Sequence, residues 1–415
     1  MTKMLLLIPM MLQPSDAPLD GMAYQVVKQI NKQQPHIAGI YHKALLKQVS
    51  EDKLLALYKG FFTKHGRIVD VIPQKRTTPE SGKFTLAFEK GVEMDLTLTI
   101  NKQKPPKIIG LWFGPPAASF KDIPSIMKEI EKLQGKVNFQ VARLDDEIKV
   151  IHALHAERVL AIGSAFKLYL LGTIVEHARP WDDVVELTDD HKSLPSGVLQ
   201  GWPDGSPVTV HTLASEMISI SDNTATDHLL HYLGRKTVES QLEIMGNTDP
   251  ERSRPMLATL EMFKIKSNQK LLRKYIKADV AKRRRLLKGR VKKMSRENLT
   301  PYADGTPVAI ESVEWFASAA DLCRAMDWFR RRNDEKALDI LAINVAIPHL
   351  KNEFDYIGYK GGSEPGVLNF TWLLRTKKGK HYALSMGWNN PGDDGVELKT
   401  YLGLAQATLR LLAEQ

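Results

Sequence analysis

Gly163-Ser164-Ala165-Phe166-Lys167, running on into Leu168-Tyr169-Leu170-Leu171, is the stretch from which the rest of the chain can be read. Ser164 and Lys167 stand three residues apart, which on a helix places them on one face, a turn from each other. Leu168, Leu171 and Val175 continue that helix with an apolar stripe. Gly163 permits a close approach of chain or ligand. A serine hydroxyl is a poor nucleophile unless a base takes its proton. A lysine shielded from water and near a second cation loses its own proton near neutral pH and becomes such a base. A serine in the first turn also sits at the positive end of the helix dipole, which favours a developing alkoxide. Alone the pattern is weak, because Ser164 reads equally well as an ordinary N-cap.

Two further motifs follow in order. Ser221-Asp222-Asn223 begins 57 residues after Ser164, and Lys360-Gly361-Gly362-Ser363 begins 139 residues after Ser221. Separately they read as a turn with a cap and as a strand end. As an ordered trio, S-x-x-K, S-D-N and K-G-G resemble the signature of the penicillin-recognising serine hydrolases, which include class A β-lactamases and penicillin-binding proteins. The resemblance spans about residues 117–415. It implies Ser164 as the acylated nucleophile and Lys167 as its general base. Ser221 would relay the proton to the leaving group, and Asn223 would hold the substrate amide and Lys167. Asp222 would fix the loop, and Lys360 would hold the substrate carboxylate. The backbone N–H groups of Ser164 and Ser363, beside Gly362, would form the oxyanion hole. The implied substrate is a small ester or amide, including β-lactams, with no cofactor and no metal.

The match is uneven. Gly361 stands where a Thr or Ser usually helps to bind the substrate carboxylate, and Ser363 is a partial replacement. Class A β-lactamases also carry an E-x-x-L-N segment whose glutamate activates the deacylating water. The comparable stretch here, from Met245 to Met256, has no such segment, and Glu251 and Glu261 lack its surroundings. An acyl-enzyme would therefore form and hydrolyse slowly, giving weak β-lactamase or esterase activity. The alternative is an envelope protein that binds penicillins or muropeptides without turnover. Three segments, 254–259, 313–323 and Lys360-Gly361-Gly362-Ser363-Glu364-Pro365-Gly366-Val367, look like a two-domain subfamily known from clavulanic-acid gene clusters. In it a β-lactamase-like domain follows a steroid-isomerase-like domain.

Working outward, the part before the motifs changes period. Met22 to Gln34 and about Ala38 to Lys64 read as helices. Phe84, Leu86 and Phe88 then alternate with polar residues, as do Val92, Met94, Leu96, Leu98 and Ile100, with Glu89-Lys90-Gly91 as a hairpin between them. Lys107 to Phe113 is a further strand, and Gly114-Pro115-Pro116 marks a boundary. In shape this resembles the NTF2-like or steroid-isomerase-like fold. Beyond the boundary, Ser119 to Leu133 reads as a helix, and Val137 to Leu144 and Glu147 to His155 as a strand pair. The fold expected is α+β. A small NTF2-like domain (22–116) precedes a β-lactamase/transpeptidase-like domain (117–415), built as an antiparallel sheet flanked by helices plus a helical subdomain, with a basic helical insertion at about 264–300.

Composition agrees with a globular chain of two domains: 415 residues, 43% hydrophobic and 26% charged. One cysteine, Cys323, excludes a disulfide framework, and its setting beside Leu322 and Met326 reads as core. The opening Met1-Thr-Lys-Met-Leu-Leu-Leu-Ile-Pro-Met-Met-Leu reads as a signal peptide over 1–21, hence a periplasmic or secreted protein. From Lys264 to Arg296 there are fifteen Lys and Arg against one acid, Asp279, whereas the whole chain carries +10, so the remainder is slightly acidic. Leu272, Ile276 and Val280, then Leu287, Val291 and Met294, recur there at helical spacing. These read as helices with basic outer faces, either a cover over the site that meets an anionic envelope surface or a solvated face. No aromatic interleaving accompanies the charge, so nucleic acid is not expected. The pairs His152/His155 and His228/His231 lack a third ligand and read as non-metal.

Overall fold

The structure, a computed structural model, describes residues 18–32, 39–89, 92–114, 116–118, 120–177, 179–302, 304–392 and 395–415. Residues 1–17, which carry most of the signal-like reading, lie outside the described residues. The chain forms two compact units, 1–121 and 122–415.

The first unit contains helices α1 (Pro18–Ile30), α2 (Lys43–Gln48) and α3 (Glu51–His65) and strands β1 (Ile68–Thr78), β2 (Ser81–Phe88), β3 (Val92–Ile100) and β4 (Ile108–Phe113). The strands form an antiparallel sheet in sequence order. Their alternation has its physical cause in the core: Phe84, Leu86, Phe88, Met94, Leu96, Leu98 and Ile100 are all buried with Leu19, Val26 and Ile30 of α1. Pro18 to Gly21 therefore belong to α1, and Leu19 is fully buried, so a leader ending at residue 21 would cut into this core. The single helix read over 38–64 is two. The chain turns extended at Val49, and Ser50-Glu51-Asp52 starts α3 with acids at the positive end of its dipole. The unit also runs past Pro116, because Ala117 and Ala118 pair with Glu93 and Val92.

The second unit is built on a five-stranded antiparallel sheet of β5 (Lys136–Leu144), β6 (Ile148–Leu154), β7 (Phe354–Glu364), β8 (Val367–Thr376) and β9 (His381–Asn389), in the order β7-β8-β9-β5-β6. Its helices are α4 (Ile123–Glu131), α5 (Lys167–Glu176), α6 (Val210–Ser219), α7 (Asn223–Leu233), α8 (Arg235–Ile244), α9 (Thr259–Lys266), α10 (Gln269–Ile276), α11 (Val280–Leu286), α12 (Ala319–Arg332), α13 (Glu335–Leu341) and α14 (Leu398–Ala413). One face of the sheet packs Phe370 and Trp388 against Tyr401 of α14. The other face sends Ala142, Leu144, Leu373 and Ala383 into the core shared with α5 to α7 and α12, where Cys323 is buried. Helix α4 is shorter than the 119–133 reading, because the Asp122 side chain caps it at Ser125 N (2.8 Å) with Pro124 in the first turn. The strand read to His155 ends at Leu154, and His155 turns away with φ of 48°.

The basic stretch departs from its reading too. Asn268 and Asp279 each cap a new helix, so Ile276 and Val280 do not share one. The buried stripe of α10 is Leu271, Leu272 and Tyr275. Lys264 and Lys266 point inward and are buried.

Candidate active site

Ser164 lies in the single 3-10 turn Gly163–Phe166 that leads into α5 at Lys167. Gly163 has φ of +47°, a conformation L side chains rarely adopt. Phe166 stacks on Trp315 at 3.8 Å, and Trp315 Nε1 donates to Leu257 O, which pins the turn from below. Third-motif strand β7 runs directly over it. A Cβ on Gly362 would sit 2.1 Å from Ile162 O and 2.5 Å from Ser164 N, and one on Gly163 would sit 3.1 Å from Ser363 N. The two glycines let the backbone around Ser164 and that around Ser363 pass this closely.

The S-D-N turn supplies the third side. Ser221 holds φ of +59°, unusual for a residue with a side chain. Asp222 stabilises it: Oδ2 accepts from Val198 N (2.6 Å) and Leu199 N (2.9 Å), while Oδ1 caps α7 at Ala225 N (2.8 Å). Asn223 is buried, with Nδ2 donating to Leu194 O at 3.0 Å and one N–H left over.

The two lysines meet at Ser221. Lys167 Nζ lies 2.7 Å from Ser221 O, 2.8 Å from Asn223 Oδ1 and 3.1 Å from Ser221 Oγ. Lys360 Nζ lies 3.1 Å from the same Oγ and 2.7 Å from Gly361 O. Both lysines are buried. Burial first, and then the charge of Lys360, hold Lys167 well below the usual lysine range, against the opposing pull of Asp227 and Asp222. Burial brings Lys360 down to about 7. A neutral Lys167 accounts for all its contacts: two N–H groups reach the two carbonyl oxygens, and its lone pair accepts the Ser221 hydroxyl proton. Ser221 Oγ then accepts from a charged Lys360. No hydrogen bond joins Lys167 to Ser164, whose Oγ has no partner among the described residues.

Ser164, Ser221, Asn223, Lys360, Gly362 and Ser363 all line one cavity of about 870 Å3, with Lys167 beneath it. The absence of a hydroxyl at position 361 has a cause that the sequence reading missed. A Cβ on Gly361 would fall 2.0 Å from Tyr359 Oη and 2.8 Å from Asn369 O. Tyr359 shares the strand face of Gly361, leans on Trp372 at 4.9 Å, and brings its own hydroxyl to the cavity wall. The signal was present as an aromatic two residues before a glycine in one strand.

Among the described residues Glu364 is the single carboxylate on the wall, and it is occupied by Lys266 Nζ at 2.7 Å and by Tyr302. Lys266 also pairs with Glu314, which burial and then the charge of Glu364 push well above the usual carboxylate range. Glu261 is gripped by Arg235 (2.8 Å) and Glu251 is paired with Arg254, both away from the cavity. The segment Arg254-Pro255-Met256-Leu257-Ala258 keeps the x-x-L of E-x-x-L-N but has Arg and Ala at its ends. Among the described residues no group of three or more His, Cys, Asp or Glu is placed to hold a metal ion. His228 and His231 both pack against the ring of His191.

The three motifs thus meet at one cavity, with the two lysines converging on Ser221 and a glycine-lined strand over the Gly163–Phe166 turn. The family model described as the beta-lactamase enzyme family matches residues 121–410, and the chain belongs to that family. Among solved structures it is similar to a β-lactamase from Sphaerobacter thermophilus, with 20% identity over 70% of this chain and 95% of that one and a TM-score of 0.49. It is also similar to PBP-A, with 16% identity, the same coverages and a TM-score of 0.49. A β-lactamase from Francisella tularensis matches at 16% identity over 71% and 98% of the two chains, with a TM-score of 0.48. No curated protein matches.

Proposed function

We propose that the chain is a periplasmic serine hydrolase that forms an acyl-serine at Ser164 from a small ester or amide, β-lactams included, and deacylates slowly. The observation that carries this is the convergence of Lys167 and Lys360 on Ser221 Oγ, 3.1 Å from each, at the cavity that Ser164 lines. Ser164 Oγ attacks the carbonyl carbon and its proton goes to Lys167. The oxyanion is held by the N–H groups of Ser164 and Ser363. The bond to the leaving nitrogen or oxygen breaks as Ser221 hands on a proton to it, replenished from Lys167. Asn223 holds the substrate amide through its remaining N–H. Lys360 and the Tyr359 hydroxyl receive the substrate carboxylate, the tyrosine in place of the family's Thr or Ser. Slow deacylation is supported by the wall's one carboxylate being occupied. That same observation favours the second reading, a protein that keeps its acyl group and serves as a penicillin or muropeptide binder. We further take unit 1 to be NTF2-like and the basic stretch to face an anionic envelope surface.

Intact mass after mixing with benzylpenicillin, a cephalosporin and a p-nitrophenyl ester tests the reading. The parent is expected to gain one acyl group that clears over hours, and Ser164→Ala none. Tyr359→Phe is expected to slow acylation by benzylpenicillin and leave the neutral ester unaffected. An adduct that never clears selects the binder. An adduct that forms equally on Ser164→Ala, or none with any probe, would sink the proposal.

A further inference from the structure

The basic stretch does not simply present its charge to solvent. Through α9, the end of α11, the wide turn Leu287–Val291 and the residues up to Arg296, it closes a second cavity of about 760 Å3, which α7, the start of α8 and the turn at 189–191 complete. Lys236, Lys264, Lys288, Lys292 and Arg296 line it, and none of their side chains makes an ion pair or hydrogen bond to a described residue. Arg296 Nη1 is buried without a partner. Lys264 is only 7% exposed, and burial lowers its pKa. Arg235 and Arg284 also line the wall but are already taken, by Glu261 and Glu239. Asp189 is paired with Lys192. The carboxylates left are Asp190, exposed at the rim, and Asp227, which accepts from Thr259 N and Oγ1 and from Leu260 N and which burial pushes up to about 7. Five cations thus outnumber the free carboxylates. Lys236, Lys288 and Lys292 are exposed, but at Lys264 and at Arg296 Nη1 the charge is desolvated and unpaired, which is unfavourable.

We infer that this cavity is an anion site whose ligand carries a phosphate group on an apolar body. A phosphate offers several acceptor oxygens and up to two charges, and so meets donors arriving from separate helices, with Arg296 suited to a forked contact. A lone carboxylate would leave most of them unmatched. Between the cations the lining is apolar, with Leu260, Leu287 and Val291 buried, and the volume is that of a small-molecule site. A free organic phosphate and a phospholipid headgroup share this chemistry.

Thermal melts and calorimetry of the full chain with sodium pyrophosphate and with dihexanoyl phosphatidic acid, and cosedimentation with phosphatidylcholine vesicles with and without phosphatidic acid, separate the two sources. Either soluble phosphate is expected to raise Tm where sodium chloride of equal ionic strength does not. Lys264→Met and Arg296→Gln should each weaken binding at least about tenfold. Arg285→Gln, exposed and off the cavity, should leave it unchanged. Lys264→Met should also raise the Tm of the free protein, because it removes an unpaired buried charge, so lost binding will not be lost folding. Soluble binding without vesicle recruitment assigns a free phosphate, and vesicle binding that requires Lys264 assigns a headgroup. Silence toward both soluble phosphates at about 5 mM, with vesicle binding absent or equal in parent and Lys264→Met, overturns the site.

Discussion

Ser221 Oγ has room for two hydrogen-bonding neighbours of one kind and one of the other, and it faces two lysines. If both were charged, each would have to donate to it, and two like charges would share one small oxygen in a buried site. The depressed pKa of Lys167 resolves that conflict by releasing its proton, while Lys360, brought by burial to about 7, keeps its charge below that pH. On the proposed mechanism Lys360 is thus an electrostatic control on the base as well as a carboxylate holder. Lys167 acts when neutral, so acylation rises with pH through its depressed pKa. The charge of Lys360 lowers that pKa, and its removal must raise it. Lys360→Met is therefore expected to move the rising limb of the pH–rate profile to higher pH, and Lys360→Arg, which keeps the charge, to leave it near the parent's. The neutral p-nitrophenyl ester is the proper substrate, since it has no carboxylate for Lys360 to hold. A limb that stays in place in Lys360→Met would remove Lys360 from the control of Lys167.

The next scale is the contact of strand β7 with the nucleophile turn, where backbone meets backbone. Gly362→Ala would force a methyl group to within 2.1 Å of Ile162 O and 2.5 Å of Ser164 N, atoms that cannot rotate away. The strand must lift, at a cost of about 1–3 kcal/mol, and the oxyanion gap opens with it. The expected outcome is a lower Tm together with acylation lost out of proportion to the melt, measured well below the transition. A normal acylation rate would show that the gap is not built from Ser164 and Ser363. Two residues beyond Gly362, the end of β7 is anchored separately by Lys266, which bridges Glu364 and Glu314. What the sequence made legible follows from range. The trio of motifs could be read because each is a local pattern, and strands β2 and β3 because period two survives where one face is buried; β8 and β9, buried on both faces, carry no such alternation and were not legible. The break at Val49 was hidden because propensity favours one long helix there, and the end of α4 because a single cap at Asp122 overrides the apolar stripe. Tyr359 filling the place of a Gly361 side chain, and the inward turn of Lys264 and Lys266, depend on neighbours far away in sequence, which no local pattern encodes.

At the scale of the whole molecule, the described residues form one main core in each unit. One joins α1 to α3 with β1 to β4, and the other joins α5 to α12 with the sheet of β5 to β9. Every group assigned to the chemistry, and every group that holds one in place, falls within the second unit. Ser164, Lys167, Ser221, Asn223 and Lys360 do so, as do their supports Asp222, Trp315, Tyr359 and Lys266. The sheet that carries β7 closes within that unit as well, and α4 keeps its own cap when the chain starts at Asp122. A chain of residues 122–415 is therefore expected to melt cooperatively and to be acylated by the p-nitrophenyl ester at the parent's rate, read by intact mass. The result that would break this argument is specific. A fragment with a cooperative melt and intact circular dichroism that fails to acylate would mean that the first unit contributes to catalysis, and the site drawn from the second unit alone would be incomplete.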